Sequence, residues 1–142
     1  MTRACPACQR PNRIPARHLA DTGRCGACRA ALPPVAAPLD VDGPAFDEVA
    51  REAAVPVLVD FWAPWCGPCR MAAPAVASVA ATMAGRALVL KVNTDAHPDV
   101  AARFGVRGIP NFVVLRGGQV VHQQAGVVPA DDMARWLAQA AG

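Results

Sequence analysis

The sequence predicts an α/β protein: a mixed β-sheet of about five strands flanked by about four helices, preceded by a small four-cysteine module. Three observations carry that prediction. From residue 35 onward, strand-like apolar runs alternate with stretches of helical periodicity, the pattern of a layered α/β sheet. Gly117-Gly118 separates two apolar runs, which reads as an antiparallel hairpin at one end of that sheet. Cys5, Cys8, Cys25 and Cys28 form two Cys-x-x-Cys pairs in a segment too poor in large apolar side chains to fold without a staple or a metal.

The bulk numbers agree. At 142 residues, 54% hydrophobic and 18% charged, the chain can bury a sizeable core and is not a disordered one. Its net charge of +3 is unevenly spread. Residues 1–34 carry six arginines against Asp21, which is +5, and residues 35–142 carry eight basic and ten acidic groups, which is −2. The break falls at "LPPVAAP", a Pro/Ala stretch with the composition of a short linker. This divides the chain into a module with its linker, 1–34, and a main domain, 35–142.

In the module the large apolar residues are few: Met1, Ile14 and Leu19 within the first 30 positions. In the main domain, "LDVDGPAFDEVAREA" places Asp42 as an N-cap, Pro44 in the first turn, and Phe46, Val49 and Ala50 on one face, so a helix is expected. "VPVLVDFWA" is a strand buried on both faces. A long helix is expected over about Pro68 to Met83, ended by Gly85. "ALVLKVN" is a second buried strand and "HPDVAARFG" a short helix stopped by Gly105. "NFVVLRGGQVVHQQAG" is the hairpin. "PADDMARWLAQAAG" closes with a helix that Pro129 starts and that repeats Ala130, Met133, Trp136, Leu137 and Ala140 at helical spacing. The βαβ units imply parallel pairing in the middle of the sheet.

The N-terminus lacks an apolar signal-peptide core, and the longest uncharged stretch, Met71 to Gly85, is alanine-rich, broken by Pro74 and too short to span a bilayer. A cytoplasmic protein with no membrane association is expected. In a reducing compartment, paired cysteines bind metal or do redox chemistry more often than they staple a fold.

"FWAPWCGPCRM" sets a third Cys-x-x-Cys pair at a strand-to-helix junction. There Cys66 meets the unpaired amides and positive dipole end of a helix, which stabilise a thiolate. Cys69 lies one turn on, facing the same way, and can attack a mixed disulfide formed at Cys66. Pro68 suits the first helical turn, and Gly67 keeps the approach open for another chain's backbone. Asp60 interrupts the apolar strand; as a buried carboxylate it is fitted to take a thiol proton, although it also reads as a loop cap or a solvated strand end. Lys91 in the neighbouring strand is placed to tune it. Ile109-Pro110 directly precedes a strand, where a cis peptide bond is a candidate feature. Trp62 reads as a core residue, and Trp65 as part of the rim of the site. Half a zinc site is the competing reading of the pair, but the other four cysteines leave it without partners.

The upstream pairs are separated by sixteen residues, inside the window for a four-thiolate zinc site. With no position left for water, such a site is structural, and oxidation of its thiolates releases the metal. Two local disulfides or free thiols are the alternatives. His18 lies between the pairs as a possible substitute ligand. Four thiolates with one Zn²⁺ contribute −2 and bring the module to about +3. With no aromatic residue among the arginines to stack on bases, a surface for acidic protein partners, or solubility, is favoured over nucleic-acid binding.

"VDFWAPWCGPCRMAAP", followed in order by "KVNTD", "FGVRGIP", "GGQVV" and "AGVVP", closely resembles the thioredoxin family over roughly residues 35 to 142. With "CPACQRPNRIP" and "CGAC" in front, the chain resembles the family's zinc-containing bacterial members of the thioredoxin-2 type. The resemblance implies the thioredoxin fold and a protein-disulfide reductase in which Cys66 attacks and Cys69 resolves. It also implies a buried carboxylate at Asp60 with Lys91 near it, a helix kinked at Pro74, and a cis-proline at Pro110. Ile109 would present backbone groups to a substrate peptide, and Gly126 and Val127 would complete a docking surface with Trp65. Disulfide-containing proteins would be the substrates and an NADPH-dependent thioredoxin reductase the electron donor. The resemblance implies no organic cofactor. Asn111 departs from the threonine common after the cis-proline, which bears on substrate preference. The Gly67-Pro68 dipeptide favours a reductant over an oxidase or isomerase. An adaptor or chaperone platform is the alternative of another class, and monomer is the default oligomeric state.

Overall fold

The computed structural model describes residues 1–142, and its first 34 residues form two small antiparallel hairpins. β1 (Thr2–Ala4) pairs with β2 (Pro11–Arg13), and β3 (Gly23–Arg24) pairs with β4 (Ala31–Leu32), with a 3₁₀ turn at Ala16–His18 between them. The two hairpin tips repeat one design. Each has a Cys-x-x-Cys turn followed by a residue at φ +66°, Gln9 in one and Arg29 in the other. Each is closed by backbone bonds back to its first cysteine, Gln9 N to the Cys5 carbonyl at 2.8 Å and Arg29 N to the Cys25 carbonyl at 3.0 Å.

Beyond them come β5 (Leu39–Asp40), α1 (Gly43–Glu52), β6 (Val57–Trp62), α2 (Gly67–Thr82) and β7 (Leu88–Asn93), then α3 (Pro98–Arg103), β8 (Asn111–Arg116), β9 (Gln119–Ala125) and α4 (Ala130–Ala141). The sheet order is β5-β7-β6-β8-β9. β6 pairs in parallel with β7 and antiparallel with β8, so its continuous apolar run lies at the centre of the sheet, as the sequence predicts. The hairpin turns at Gly117 and Gly118, at φ +58° and +78°, values that favour glycine and match the right-handed twist of the strands. A register break at Val114/Leu115 bends the outer edge.

Two cores sandwich the sheet. Val57, Val59, Phe61, Leu88, Leu90, Val92, Val113 and Leu115 pack on one side with Phe46 and Val49 of α1 and Val100 of α3. Leu58, Val89, Phe112 and Val114 pack on the other with Val76 and Val79 of α2 and Met133 and Leu137 of α4. The two-residue alternation thus survives in strands that are apolar throughout. Asp42 caps α1 by accepting from Ala45 N at 2.9 Å. Pro74 lies inside α2, where it supplies no N–H for the Arg70 carbonyl.

The Pro/Ala stretch expected to be a linker is packed instead. Leu32 and Val35 are buried, and Val35 N donates to the Leu19 carbonyl at 3.0 Å. Ala16, Leu19 and Ala20 join the same core as α1. Gly85, at the C-terminal end of α2, is closed in by Pro34 and the Ala20 carbonyl. The apolar side chains scattered among the prolines are the physical reason: Val35 enters the α1-side core, and Leu32 packs with Cys5 and Cys25 in the module's own small cluster. No helix is long and apolar enough to cross a membrane.

Candidate active site and metal centre

The central strand and α2 meet at the third cysteine pair. Cys66 is the N-cap of α2, and its sulfur accepts from Cys69 N at 3.2 Å. That amide is one of the orphan donors of the first helical turn, so the same bond would stabilise a Cys66 thiolate in the reduced state. Cys66 and Cys69 are joined as a disulfide. Both are nearly buried, at 3% and 6% exposure, under a rim formed by Trp65, Gly67 and Pro68, all exposed.

Ile109 and Pro110 face this bridge from the start of β8. The peptide between them is cis, and the Ile109 carbonyl lies 3.7 Å from Cys66 Sγ. Gly126 N donates to the Pro110 carbonyl at 2.8 Å, which ties Gly126 to the cis-proline, and Trp65, Met71 and Val127 are exposed apolar side chains. Asn111 is buried; its Oδ1 accepts from Gln123 Nε2 at 3.2 Å, and the same amide donates to the Phe104 carbonyl at 2.9 Å. The departure at this position is thus matched by a polar partner on β9.

Asp60 sits behind Cys69. It is 2% exposed, its Oδ1 has no hydrogen-bond partner, and it shares a cavity of about 100 Å³ with Cys69, Lys91 and Trp62. The loop-cap and solvated-end readings of Asp60 are overturned by that burial. Loss of solvation raises its pKa to about 6, opposed by Lys91 and reinforced by Asp40. Trp62 departs from a plain core role: it is half-buried and lines the cavity, its Nε1 finds no partner, and the Lys91 ammonium lies 4.5 Å from its ring centroid.

A stability prediction follows. Because the folded state holds the Asp60 proton more tightly than the ordinary 3.8 allows, this group's contribution to stability is fully present below that value. It is lost as pH rises to about 6, and at neutral pH the ionised group costs about 3 kcal/mol. Asp60→Asn is expected to raise unfolding free energy by about 2 kcal/mol near neutral pH and by almost nothing at about pH 4. Urea unfolding at both values checks it, and an equal gain at the two would contradict the burial argument.

At the other cluster, the four sulfurs of Cys5, Cys8, Cys25 and Cys28 lie within 4.8 Å of one another. The Cys5–Cys28 and Cys8–Cys25 distances are 3.6 and 3.7 Å, against about 3.8 Å for the edge of a ZnS₄ tetrahedron with 2.3 Å bonds. Backbone amides of Ala7 and Ala27 each point at the first sulfur of their pair at 3.4 Å. The Cys28 backbone, Asn12 and the Ala27 amide lower the Cys25 thiol to about 6. The Arg10 backbone bond pulls Cys8 down, but burial and the three neighbouring sulfurs outweigh it and push Cys8 up to about 11. Four sulfurs so close cannot all be anionic unless a cation sits among them, so the donor set fits a soft divalent metal.

Some functional neighbours escaped the sequence reading. Asn12 bridges the two hairpins, donating to Cys25 Sγ at 3.5 Å and accepting from Gly26 N at 3.0 Å. Asp95 takes the Trp65 indole N–H at 2.9 Å; its only signal was the Asx-type turn of "NTD", in which Asn93 Oδ1 accepts from Asp95 N at 2.9 Å. His18 faces Asp21 at 2.8 Å and is not among the clustered ligands.

Comparison with known proteins agrees with this geometry. The family model described as Thioredoxin matches residues 37–139. Thioredoxin 1 of a Nostoc species is 48% identical over 92 residues, covering 65% of this chain and 86% of the relative. Thioredoxin 1 of Chlorobaculum tepidum is 46% identical over 97 residues, covering 68% and 96%. Among solved structures, a mutant thioredoxin from Halobacterium salinarum superposes with a TM-score of 0.70 at 32% identity, covering 76% of this chain and 94% of that one. Chloroplastic thioredoxin z gives 0.67 at 27% identity, covering 73% and 94%. With Cys66 capping α2 and bridged to Cys69, a buried carboxylate behind the pair and the matched span covering the whole five-stranded sheet, the chain belongs to the thioredoxin family of thiol–disulfide oxidoreductases.

Proposed function

We propose that this protein is a protein-disulfide reductase of the zinc-containing, thioredoxin-2 type, working in the cytoplasm as a monomer. Residues 1–34 would serve as the metal module and 35–142 as the exchange domain. The observation that carries the reading is the Cys66–Cys69 bridge at the N-terminus of α2, with Asp60 in the cavity behind it.

In the forward half-cycle the Cys66 thiolate bonds one sulfur of a substrate disulfide, and the other substrate sulfur leaves with the electron pair. A peptide lying across Trp65, Gly67, Pro68, Ile109, Pro110, Gly126 and Val127 would pair its backbone with the chain at the cis-proline. Asp60 takes the Cys69 proton, with Lys91 setting the field around it. The Cys69 thiolate then bonds Cys66 Sγ, and the second substrate sulfur departs. Substrate is thereby reduced by two electrons and the Cys66–Cys69 pair oxidised, to be restored by an NADPH-dependent thioredoxin reductase. Cys5, Cys8, Cys25 and Cys28 would hold one Zn²⁺, which when bound supplies a closed structural cross-link between the two hairpins.

NADPH consumption with a bacterial thioredoxin reductase and a protein disulfide substrate tests the reading. Steady oxidation of NADPH dependent on this protein is expected. No oxidation, with the fold and metal intact, would reject the reductase direction.

A further inference from the structure

Three charged residues stand in one row across the sheet. Asp40 of β5 is the register partner of Lys91 of β7, and Lys91 is the register partner of Asp60 of β6. Register partners on neighbouring strands point to the same face, about 4.8 Å apart. Lys91 therefore has a carboxylate on either side, the exposed Asp40 and the buried Asp60. The backbone holds the row in place. Val41 N donates to the Lys91 carbonyl at 3.1 Å, and two residues after Asp40 the Asp42 cap begins α1.

Lys91 closes no ion pair with either neighbour and lies over Trp62 instead. It lines two spaces at once. One is the small cavity of Asp60 and Cys69. The other is an open cleft of about 420 Å³ that also presents Asp40, Asp42 and His97. Lys91 and Trp62 line both spaces and so form the wall between them.

We propose that Asp40 is a positioning residue for the exchange reaction: its carboxylate draws the Lys91 ammonium toward the open cleft, leaving Asp60 without an ion-pair partner and free to take the Cys69 proton. The proposal rests on the reading of Asp60 as the base. A lone Asp60–Lys91 pair would close into a salt bridge that holds the carboxylate ionised and a poor proton acceptor; a second carboxylate across the lysine divides its attraction. The other groups around Asp60 do not share this role. Cys69 and Arg70 line the cavity from α2, β8 presents apolar Phe112 opposite Asp60, and Asp42 is engaged by Ala45 N. After burial, the charges that register on Asp60 are Lys91 and Asp40, with opposite signs.

The test uses full-length protein carrying Asp40→Asn, the charge-restoring Asp40→Glu, and Asp60→Asn as control. Two readouts are taken: the NMR titration of the Asp60 side-chain carboxyl, and the pH dependence of protein-disulfide reduction. Asp40→Asn is expected to lower the Asp60 midpoint, and the acid limb of the rate profile with it, by about half a pH unit at low salt and by less at high salt. Asp40→Glu is expected to return both toward wild type. An unmoved midpoint in Asp40→Asn, while Asp60→Asn removes the acid limb, would overturn the role of Asp40 and leave Asp60 as the base. An acid limb that survives Asp60→Asn would overturn both.

Discussion

Cys66→Ser is expected to abolish disulfide reduction, by at least about a thousandfold, while leaving the fold and the melting temperature of the reduced protein almost unchanged. The asymmetry comes from the placement of the two sulfurs. Cys66 is the helix N-cap and already accepts the Cys69 amide, so its thiolate has the field of α2 to lean on. A serine oxygen keeps that cap but, with a much higher pKa and no S–S chemistry, cannot exchange. Cys69→Ser should behave differently. Its Cys66 still attacks, but nothing resolves the product, so a covalent mixed disulfide with substrate accumulates. Non-reducing electrophoresis after mixing each variant with a disulfide substrate separates the outcomes. A trapped adduct with Cys66→Ser and none with Cys69→Ser would reverse the assigned roles.

Removing the metal is expected to have the second largest effect. The hairpins β1–β2 and β3–β4 bury little besides Cys5, Cys25 and Leu32, far less than is needed to offset the entropy of ordering them. Structural zinc in such sites supplies on the order of 10 kcal/mol. Because Ala16, Leu19 and Ala20 enter the α1-side core, the loss should reach the exchange domain as well. A strong chelator under reducing conditions, or Cys25→Ser, is expected to lower the melting temperature by on the order of 10 °C, with one Zn²⁺ per chain released in the chelator experiment. Metal analysis and calorimetry on the same sample check both numbers. Chelation that removes stoichiometric zinc without moving the transition would sink the structural role, and a protein purified under reducing conditions with no metal would sink the site.

What the sequence makes legible is whatever a short window encodes. The run from Val57 to Trp62 declares a buried strand by composition, Gly117-Gly118 declares its turn by backbone freedom, and two Cys-x-x-Cys turns declare a four-sulfur cluster by spacing. What stayed hidden depends on partners far away in sequence. β5 is only two residues long and is a strand because β7 is there to pair with. Asp95 reaches Trp65 across thirty positions, and Asn12 reaches Cys25 across thirteen. "LPPVAAP" has the composition of a linker, and only partners outside it, the α1-side core for Val35 and the Cys5–Cys25 cluster for Leu32, turn these two side chains inward. Trp62 looked like filling for that core and is instead a wall of the Asp60 cavity.

The attachment of the N-terminal segment at Gly85 has a consequence for how the protein can be occupied. Ala20 and Pro34 meet Gly85, just beyond the end of α2, whereas Cys66 caps its start, and sixteen helical residues separate the two ends by about 24 Å. The molecule is therefore bipolar. A macromolecule seated against the arginine-bearing hairpins does not stand in the path of a disulfide approaching Trp65 and Val127, so the chain can be tethered at one pole while it turns over at the other, and tethering raises the local concentration of whatever is displayed beside it.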